Sequence, residues 1–499
     1  MESAQTRKYN LYNLPVIRQI NSFIYSKPYI VLVALLTVIA NAFGLDVAFF
    51  GFITFFAVYI AIFGKDLSPY LPMLCFCHIT PSIKNNPAIN AESFLFPKNS
   101  GYLLFYFGAS IIIAMAIRFI FDDEIGFKNI FKQKRKQSLG IWLLALSFFI
   151  SGIGSENYKS FALKNVAFSA VQLVAFFVPY FVLSFTVKWK DIKKDYLCFT
   201  GLMLGLAVGF ELISVYVING VMVDGSPVEE LMFTGWGISN NIGSMISIMI
   251  PFAIYYVYVS KRPLIPVLAL DFLMLTTVFS LSRTAMLAGL IFFIIGFIVI
   301  LIKASKKTRL YFVFNLLILA VLIYGLAFLF TNAFIISFKS GLDSMPRREL
   351  YSLGIKTFLD KPILGKGFYS LNNQIDLTNN NWVWATELSF SNFFPGRWHN
   401  TIIQLLATGG VVSLVAYCFH RFQTIKTFIE KRSLETFVTL LYMIALLFES
   451  LLDCHFFNVG PILFYSCALA FVEFRIPHFT EKIKFKDYEY DTNENRLLK

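Results

Sequence analysis

The chain has 499 residues, of which 57% are hydrophobic and only 15% are charged, and its mean hydropathy is +0.66. A water-soluble domain carries about 25% charged residues, so a soluble globule of this composition would have too little polar surface to cover it. The net charge of +13 would indicate a nucleic-acid partner in a soluble protein. In a membrane protein it is the basic excess expected of cytoplasmic loops, and we therefore predict a lipid bilayer, and no nucleic acid, as partner.

Apolar runs recur along the chain, and runs of about 20 such residues predict transmembrane helices. Taken in chain order, fourteen are predicted, at 29–45, 47–63, 69–82, 101–120, 139–154, 161–187, 195–219, 238–259, 263–281, 284–302, 310–331, 400–419, 434–453 and 459–473. The third contains Pro69, Pro72 and Pro81 and is predicted to be short or broken. The predicted fold class is an all-α, polytopic transmembrane helix bundle of about 12–14 spans.

The distribution of basic residues predicts the orientation of these spans. With all fourteen counted, both termini lie on the cytoplasmic side, and the cytoplasmic segments, termini included, hold 30 of the 43 basic residues. Omitting the third span would move the basic cluster at 128–136 to the outside, which the positive-inside rule disfavours. The long loop at 331–398 is then extracytoplasmic. A loop of this length on a compact bundle is usually functional.

Arg283 is the first of three basic positions predicted on the outer face. It lies between two spans, in the passage Ser280-Leu281-Ser282-Arg283-Thr284-Ala285. An arginine at a helix mouth can reach lipid phosphate by snorkelling. The short outer loops hold few other basic residues, so Arg283 is equally a candidate for binding an anionic substrate.

Arg347 and Arg348 form the second basic position, at the start of a predicted amphipathic helix that runs from Pro346 to Asp360. Pro346 suits the first helical turn, whereas two arginines there oppose the helix dipole. A helix N-terminus with two guanidinium groups is well suited to an anion such as phosphate. The alternative is a contact with anionic lipid headgroups.

The third basic position is Arg397-Trp398-His399-Asn400, where the long loop meets the next span. His399 is one of only five histidines, and a histidine at this place is a candidate general base at neutral pH. The alternative is a structural role at a helix end. Trp398 and the loop residues Trp382 and Trp384 are candidates to stack on sugar rings or to form an interfacial aromatic belt.

Acidic residues complete the set of chemically active groups. Glu211, Asp271 and Glu449 lie inside predicted spans, where each needs a partner or a water-filled cavity. Structural pairing is predicted for them, and they are not included in the site. Asp453 and His455, near an outer helix end, are weaker candidates of the same kind. The acidic residues of the long loop are scattered, so no metal site is predicted.

Four passages of the chain resemble the O-antigen ligase and polymerase superfamily of bacterial membrane glycosyltransferases. They are Gly237-Ile238-Ser239-Asn240-Asn241 through Pro251; Ser280 to Leu287; Arg348 through Gly367, with Lys361-Pro362-Ile363-Leu364-Gly365-Lys366-Gly367; and His399-Asn400-Thr401 through Leu405, followed by Thr408-Gly409-Gly410. The passages follow the family's order and cover about residues 237–415. The chain departs from the family at Thr284, where Gly is usual, and it has two adjacent arginines, Arg347 and Arg348, for one arginine position.

The resemblance implies a glycosyltransferase of GT-C-like fold that takes its glycan from a polyprenyl-diphosphate carrier on the outer face of the bacterial cytoplasmic (inner) membrane. Arg283 and Arg348 (or Arg347) would stabilise the diphosphate leaving group without a metal or cofactor. His399 would activate the acceptor hydroxyl, and the anomeric centre would invert. The other expected substrate contacts are Arg347, Arg397, Asn400 and Trp398. The acceptor stays open among a second lipid-linked glycan, a lipid A core and a protein.

The sequence predicts three parts: N-terminal transmembrane helices at 1–236, an O-antigen ligase-like region at 237–420 that includes the loop 331–398, and C-terminal transmembrane helices with a cytoplasmic tail at 421–499. An alternative function from another class is a lipid-linked oligosaccharide flippase or other polytopic transporter, which a bundle of this size would also suit. The sequence shows no pair of matching broken segments of the kind that marks transporter halves.

Overall fold

The computed structural model describes residues 14–79, 101–121, 134–156, 158–218, 222–223, 226–227, 232, 234, 236–329, 345–373 and 396–477. This part of the chain contains the helices α1 (Pro15–Ile24), α2 (Lys27–Phe43), α3 (Asp46–Phe63), α4 (Tyr70–Phe76), α5 (Gly101–Phe121), α6 (Ser138–Phe149), α7 (Tyr158–Thr186), α8 (Tyr196–Ile218), α9 (Ser239–Ser247), α10 (Ile250–Val259), α11 (Leu264–Phe279), α12 (Arg283–Lys303), α13 (Lys306–Leu329), α14 (Met345–Asp360), α15 (Thr401–Glu430), α16 (Leu434–Leu452) and α17 (Val459–Arg475). Short 3-10 turns lie at Trp189–Asp191, Phe368–Asn373 and His455–Phe457, and β1 (Met222–Val223) pairs with β2 (Ser226–Pro227) in a small antiparallel hairpin. The predicted all-α polytopic bundle is confirmed.

Among the described residues, seven helices are long and apolar enough to cross a membrane. They are Phe161–Thr186, Tyr196–Ile218, Ser239–Val259, Arg283–Lys303, Lys306–Gly325, Thr401–Glu430 and Leu434–Leu452, and the pair α1 and α2, bent by 71°, would make an eighth. Four further apolar helices, Ala48–Phe63, Ala109–Ile120, Ser138–Phe149 and Leu264–Phe279, are shorter. A helix rises 1.5 Å per residue, so these four cover only part of a hydrocarbon layer about 30 Å thick. Several of the fourteen predicted spans are therefore short, bent or broken helices.

The third predicted span is a short broken element, as its three prolines indicate. Within its described residues, 69–79, the one helix is α4, with seven residues, and turns lie on both sides. Before α4, the carbonyl of Asp66 accepts from Tyr25 Oη at 2.6 Å, just ahead of α2. After α4, Asn41 Nδ2 in the last turn of α2 donates to the carbonyl of Ile79 at 3.1 Å. Residues 66–79 therefore extend along α2 from its start to its end, although only α4 within them is helical.

Polar contacts between helices fix the directions of the elements around α15. Gln137 Nε2 donates to Thr427 Oγ1 at 2.7 Å, and Ser413 Oγ donates to Ser147 Oγ at 3.1 Å. Residues just before the start of α6 thus meet the end of α15, and the two helices are antiparallel. The end of the bundle where α15 begins and α16 ends is called the loop end below, because α14 and the segment after it pack there.

The glycine-containing turn at 361–367, which follows α14, packs into a break in α15. Gly410 interrupts the helix with φ +62° and ψ −159°, which leaves backbone groups without partners inside the helix. The turn supplies them: Lys366 N donates to the carbonyl of Ala407 at 2.9 Å, and Val411 N donates to the carbonyl of Pro362 at 2.8 Å. A Cβ on Gly410 would lie 2.3 Å from the carbonyl oxygen of Ile363, so only glycine allows this contact. Two of the sequence passages that resemble the superfamily are thus one docked unit.

Candidate active site

The side chain of Asn400 places His399 at the loop end. Asn400 Oδ1 accepts from the backbone N–H groups of Ile402 at 2.9 Å and Ile403 at 3.1 Å, which have no partner inside the helix. Asn400 Nδ2 donates to the carbonyl of Leu451, in the last turn of α16, at 2.7 Å. Asn400 therefore joins the start of α15 to the end of α16, and His399 lies beside the residue that follows α16.

That residue is Asp453, and its carboxylate contacts His399. His399 Nδ1 lies 3.3 Å from Asp453 Oδ1, and the two side chains are 26% and 10% exposed. Burial by itself raises the pKa of Asp453, but His399, His455 and Arg397 together hold this pKa well below its usual range. An ionised carboxylate therefore faces His399 at neutral pH. This arrangement holds a histidine ring in one orientation and stabilises its protonated form.

The backbone of His399 is held in an unusual conformation. Its φ is +50°, in the left-handed region that few residues other than glycine adopt. Its carbonyl accepts from Tyr351 Oη of α14 at 3.0 Å, and the N–H of the preceding Trp398 donates to Gln404 Oε1 at 3.0 Å. Burial raises the pKa of Tyr351, so its hydroxyl remains a donor. Strain held by surrounding contacts is typical of functional sites.

A second histidine shares the carboxylate of Asp453. His455 Nε2 lies 3.8 Å from Asp453 Oδ2 and 2.9 Å from Ser244 Oγ of α9. On the other side of the ring, His455 Nδ1 lies 3.0 Å from Asn458 Nδ2. Burial lowers the pKa of His455, so the ring is neutral at neutral pH.

The two adjacent arginines of α14 have different surroundings. Arg347 is half-buried and Arg348 is exposed, because neighbouring residues on a helix point about 100° apart. Burial lowers the pKa of His455, and the carboxylate of Asp453 raises it. The positive charges of Arg397, His399 and Arg347 lower this pKa further. Of the two arginines, Arg347 is therefore the one whose charge reaches His455, whereas Arg348 is exposed.

Arg397 and Trp398, just before His399, differ in burial. Arg397 is half-buried and contributes to the low pKa of Asp453. Trp398 is fully buried among Leu350, Leu371 and Ala407 and joins α14 to α15. The substrate contacts expected of Arg397, Trp398 and Asn400 stay predictions, and the loop residues Trp382 and Trp384 lie outside the described part of the chain.

Arg283 is the first residue of α12 and is half-buried. Ser282, just before it, donates to Asn240 Oδ1 of α9 at 3.0 Å. The next residue of α9, Asn241, accepts from Asn458 Nδ2 at 3.4 Å, the same amide that contacts the second histidine. The N-terminus of α9 therefore connects the turn of Arg283 to the turn of Asp453 and His455. Leu281, two residues before Arg283, has a φ of +54° and is the other non-glycine residue with positive φ in the described chain.

The intramembrane acids have the polar partners that the sequence predicts. Trp236 Nε1 donates to Glu211 Oε2 at 2.8 Å, and Asn315 Nδ2 donates to Asp271 Oδ2. Glu449 accepts from Ser244 and Ser247, one hydroxyl for each carboxylate oxygen. Ser244 also contacts His455, so Glu449, which the sequence analysis left out of the site, is connected to it.

Asp453, His455 and Ser244 are the site residues that sequence reasoning underrated. Asp453 and His455 were weak candidates because they follow an apolar run without a motif. Ser244 gave no signal, since it is a small residue within a span. One sequence signal could have identified them. Asp453 and His455 are an acid and a histidine two residues apart, and they lie at a predicted outer helix end, on the same side as His399.

Comparison with known families bears directly on this constellation. Residues 266–418 match the family model described as O-antigen ligase. The match assigns this region to the O-antigen ligase and polymerase superfamily. The matched region contains Arg283, Arg347, Arg348, Arg397 and His399, and ends before Asp453. The match supports, for this region, a membrane enzyme of the general O-antigen ligase and polymerase type. No curated protein matches the chain.

Proposed function

We propose that the protein transfers a glycan from a polyprenyl-diphosphate carrier to an acceptor hydroxyl on the outer face of the bacterial cytoplasmic membrane. The observation that carries the proposal is the contact of His399 Nδ1 with the ionised carboxylate of Asp453 at 3.3 Å. His399 lies in the region that matches the O-antigen ligase family model, which also contains Arg283, Arg347, Arg348 and Arg397. A base and a set of cations at one end of a membrane bundle suit a reaction that deprotonates a hydroxyl and releases a diphosphate.

His399 acts as the general base. The carboxylate of Asp453, 3.3 Å from Nδ1, favours the tautomer with its proton on Nδ1, which leaves Nε2 unprotonated and able to accept the proton of the acceptor hydroxyl. The carboxylate then stabilises the imidazolium that forms. The partial exposure of the ring lets an acceptor reach it.

The arginines stabilise the leaving group. As the acceptor oxygen bonds to the anomeric carbon, the bond from this carbon to the diphosphate oxygen breaks, and the electron pair stays on the diphosphate. Guanidinium groups bind such charge through paired N–H groups. The field of Arg347 at His455 supports Arg347 as the closer contact to the diphosphate, and the exposed Arg348 as a contact to its outer part. Arg283 and Arg397 complete the positive set. Attack opposite the leaving group inverts the anomeric centre.

The orientation proposed from the basic residues puts the loop end outside and both termini in the cytoplasm. The donor then approaches from the outer leaflet. The acceptor is a second lipid-linked glycan, a lipid A core or a protein hydroxyl. The three-part division at 1–236, 237–420 and 421–499 is proposed with the same boundaries.

Replacement of His399 by Ala tests the function. Loss of the general base is expected to reduce glycan transfer by about 100-fold or more, while the protein remains in the membrane. His420→Gln is the control, because His420 is buried beside Tyr465 Oη at 3.1 Å, well inside the bundle. Near-normal glycan with His399→Ala would overturn the proposal.

Glycan gels of a deletion strain separate the acceptor classes and the transporter alternative. Single repeats on the lipid A core indicate a lost polymerase, and bare core with polymer left on the carrier indicates a lost ligase. Repeats trapped on the cytoplasmic side indicate a flippase and would overturn the transferase proposal.

A further inference from the structure

A line of hydrogen bonds and charge contacts connects the interior of the bundle to the candidate base. Ser244 Oγ lies 2.9 Å from both Glu449 Oε2 and His455 Nε2. His455 Nε2 lies 3.8 Å from Asp453 Oδ2, whose other oxygen contacts His399. Ser244, Glu449 and His455 are fully or almost fully buried. The line therefore joins α9 and α16 to the turn that presents Asp453.

With Asn458 Nδ2 donating to His455 Nδ1, the donors and acceptors along this line have one consistent direction. A serine hydroxyl has one proton, and Ser244 donates it to Glu449. The Ser244 oxygen must then accept from His455, so Nε2 of His455 carries a proton. At the other side of the ring, the amide of Asn458 donates to the unprotonated Nδ1. The Nε2–H of His455 also faces the carboxylate of Asp453 and attracts it.

We propose that His455 is a positioning residue for the transfer reaction: Glu449 and Ser244 hold it in the Nε2–H tautomer, and this N–H holds Asp453 in the orientation that serves His399. The inference rests on the proposed function, because it takes His399 as the base. It assigns a role to two buried polar side chains, Ser244 and Glu449, that the reaction itself does not touch.

The same arrangement sets how strongly Asp453 acts on His399. One oxygen of the Asp453 carboxylate faces the N–H of His455 and the other faces His399. The N–H of His455 therefore offsets part of the negative charge that acts on His399. The titratable and charged groups that face His455 are Glu449 of α16, Asp453 and Cys454 of the turn, Arg397 and His399 before α15, and Arg347 of α14. Without the Nε2–H tautomer of His455, the full negative charge of Asp453 would act on His399. The carboxylate would also no longer be held in one orientation.

Ser244→Ala and Ser247→Ala form a matched pair for the test. Each removes one hydroxyl from Glu449, at 2.9 Å and 2.7 Å, but only Ser244 contacts His455. With purified full-length protein and a polyprenyl-diphosphate glycan as donor, we expect Ser244→Ala to lower kcat about 10- to 100-fold with little change in KM. The acid limb of its pH–rate profile should move to higher pH. Ser247→Ala should stay within about twofold of the wild type.

If Ser244→Ala does not accumulate in the membrane, Asn458→Leu is a second variant. Asn458 is half-buried and lies at the loop end. The substitution removes the donor to Nδ1 of His455 and is expected to lower kcat and shift the profile in the same way. Equal effects of the two serine variants without a pH shift, or a wild-type profile for Asn458→Leu, would overturn the inference. Those results with an inactive His399→Ala would leave the proposed function standing, whereas an active His399→Ala would remove the function itself.

Discussion

Asn400 and Leu451 form the contact that closes the loop end: the amide of Asn400 donates to the carbonyl of Leu451 at 2.7 Å while its oxygen caps α15. One side chain thus satisfies backbone groups of two helices. The residues next to each partner, His399 and Asp453, are consequently in contact. The geometry of the candidate base depends on a helix cap.

Asn400→Asp separates the two roles of this side chain. The carboxylate can still cap α15, but it has no proton to donate to Leu451 and repels its carbonyl. We expect transfer to fall about tenfold or more because the ends of α15 and α16 move apart, with thermal stability lowered by ~1 kcal/mol or more. Asn400→Ala loses both contacts and should be less stable than Asn400→Asp in thermal unfolding of the purified protein. Equal activity of Asn400→Asp and the wild type would show that the contact does not position His399.

Asp453→Asn tests the ion pair with the base. The amide keeps the size of the side chain but removes the charge that stabilises a protonated His399, and it presents an N–H to Nδ1 in one of its two orientations. We expect kcat to fall by about 100-fold or more. Initial rates with the purified enzyme measure the effect, and a fall of less than threefold would contradict the assigned role of Asp453.

The pH dependence of stability checks the same carboxylate. The pKa of Asp453 in the folded protein lies well below its usual value of about 3.9, so its ionised form stabilises the fold. This contribution is present above about pH 4 and is lost as the pH falls through the lower, folded pKa. The difference in Tm between the wild type and Asp453→Asn should be present at about pH 5, where the histidines gain charge, and begin to shrink only below about pH 4. A difference that does not depend on pH down to about 3 would show that the charge is not involved.

The exposure of the two arginines of α14 predicts unequal losses. Arg347→Ala should lower kcat/KM by about 100-fold, because a preorganised cation near the diphosphate is removed. The exposed Arg348→Ala should lower it only a few-fold, mainly through KM. Arg347→Lys should recover only part of the rate, since an ammonium cannot make the paired contacts of a guanidinium. A larger loss with Arg348→Ala would reverse the assignment.

Gly410→Ala tests the docked turn. A Cβ there would lie 2.3 Å from the carbonyl oxygen of Ile363, and the backbone at φ +62° and ψ −159°, which essentially only glycine adopts, costs about 1–3 kcal/mol for another residue. We expect a clearly lower Tm and less folded protein. Gly325→Ala in α13 is the control: it has open space around it and should be neutral or stabilising by up to ~1 kcal/mol. Similar behaviour of the two variants would contradict the tight contact at Gly410.

The amino-acid sequence by itself determined the membrane class, the positions of most helices and the residues at their mouths. Apolar runs, helix-breaking prolines and the amphipathic pattern after Pro346 are local signals, and they predicted α14 and the start of α15 to within one residue. The broken character of the third span also followed from its prolines.

Only the tertiary structure decided which of these residues act together. His399 meets Asp453, and His455 meets Ser244, across long separations in sequence, and no local pattern encodes such contacts. Arg347 and Arg348 are alike in sequence, and the rotation of α14 against α15 distinguishes them. The long loop that the sequence singled out contributes α14 and the turn docked at Gly410, but the partner of the base comes from the end of α16. Packing between helices brings these side chains into one site, because it alone satisfies their charges and backbone groups together.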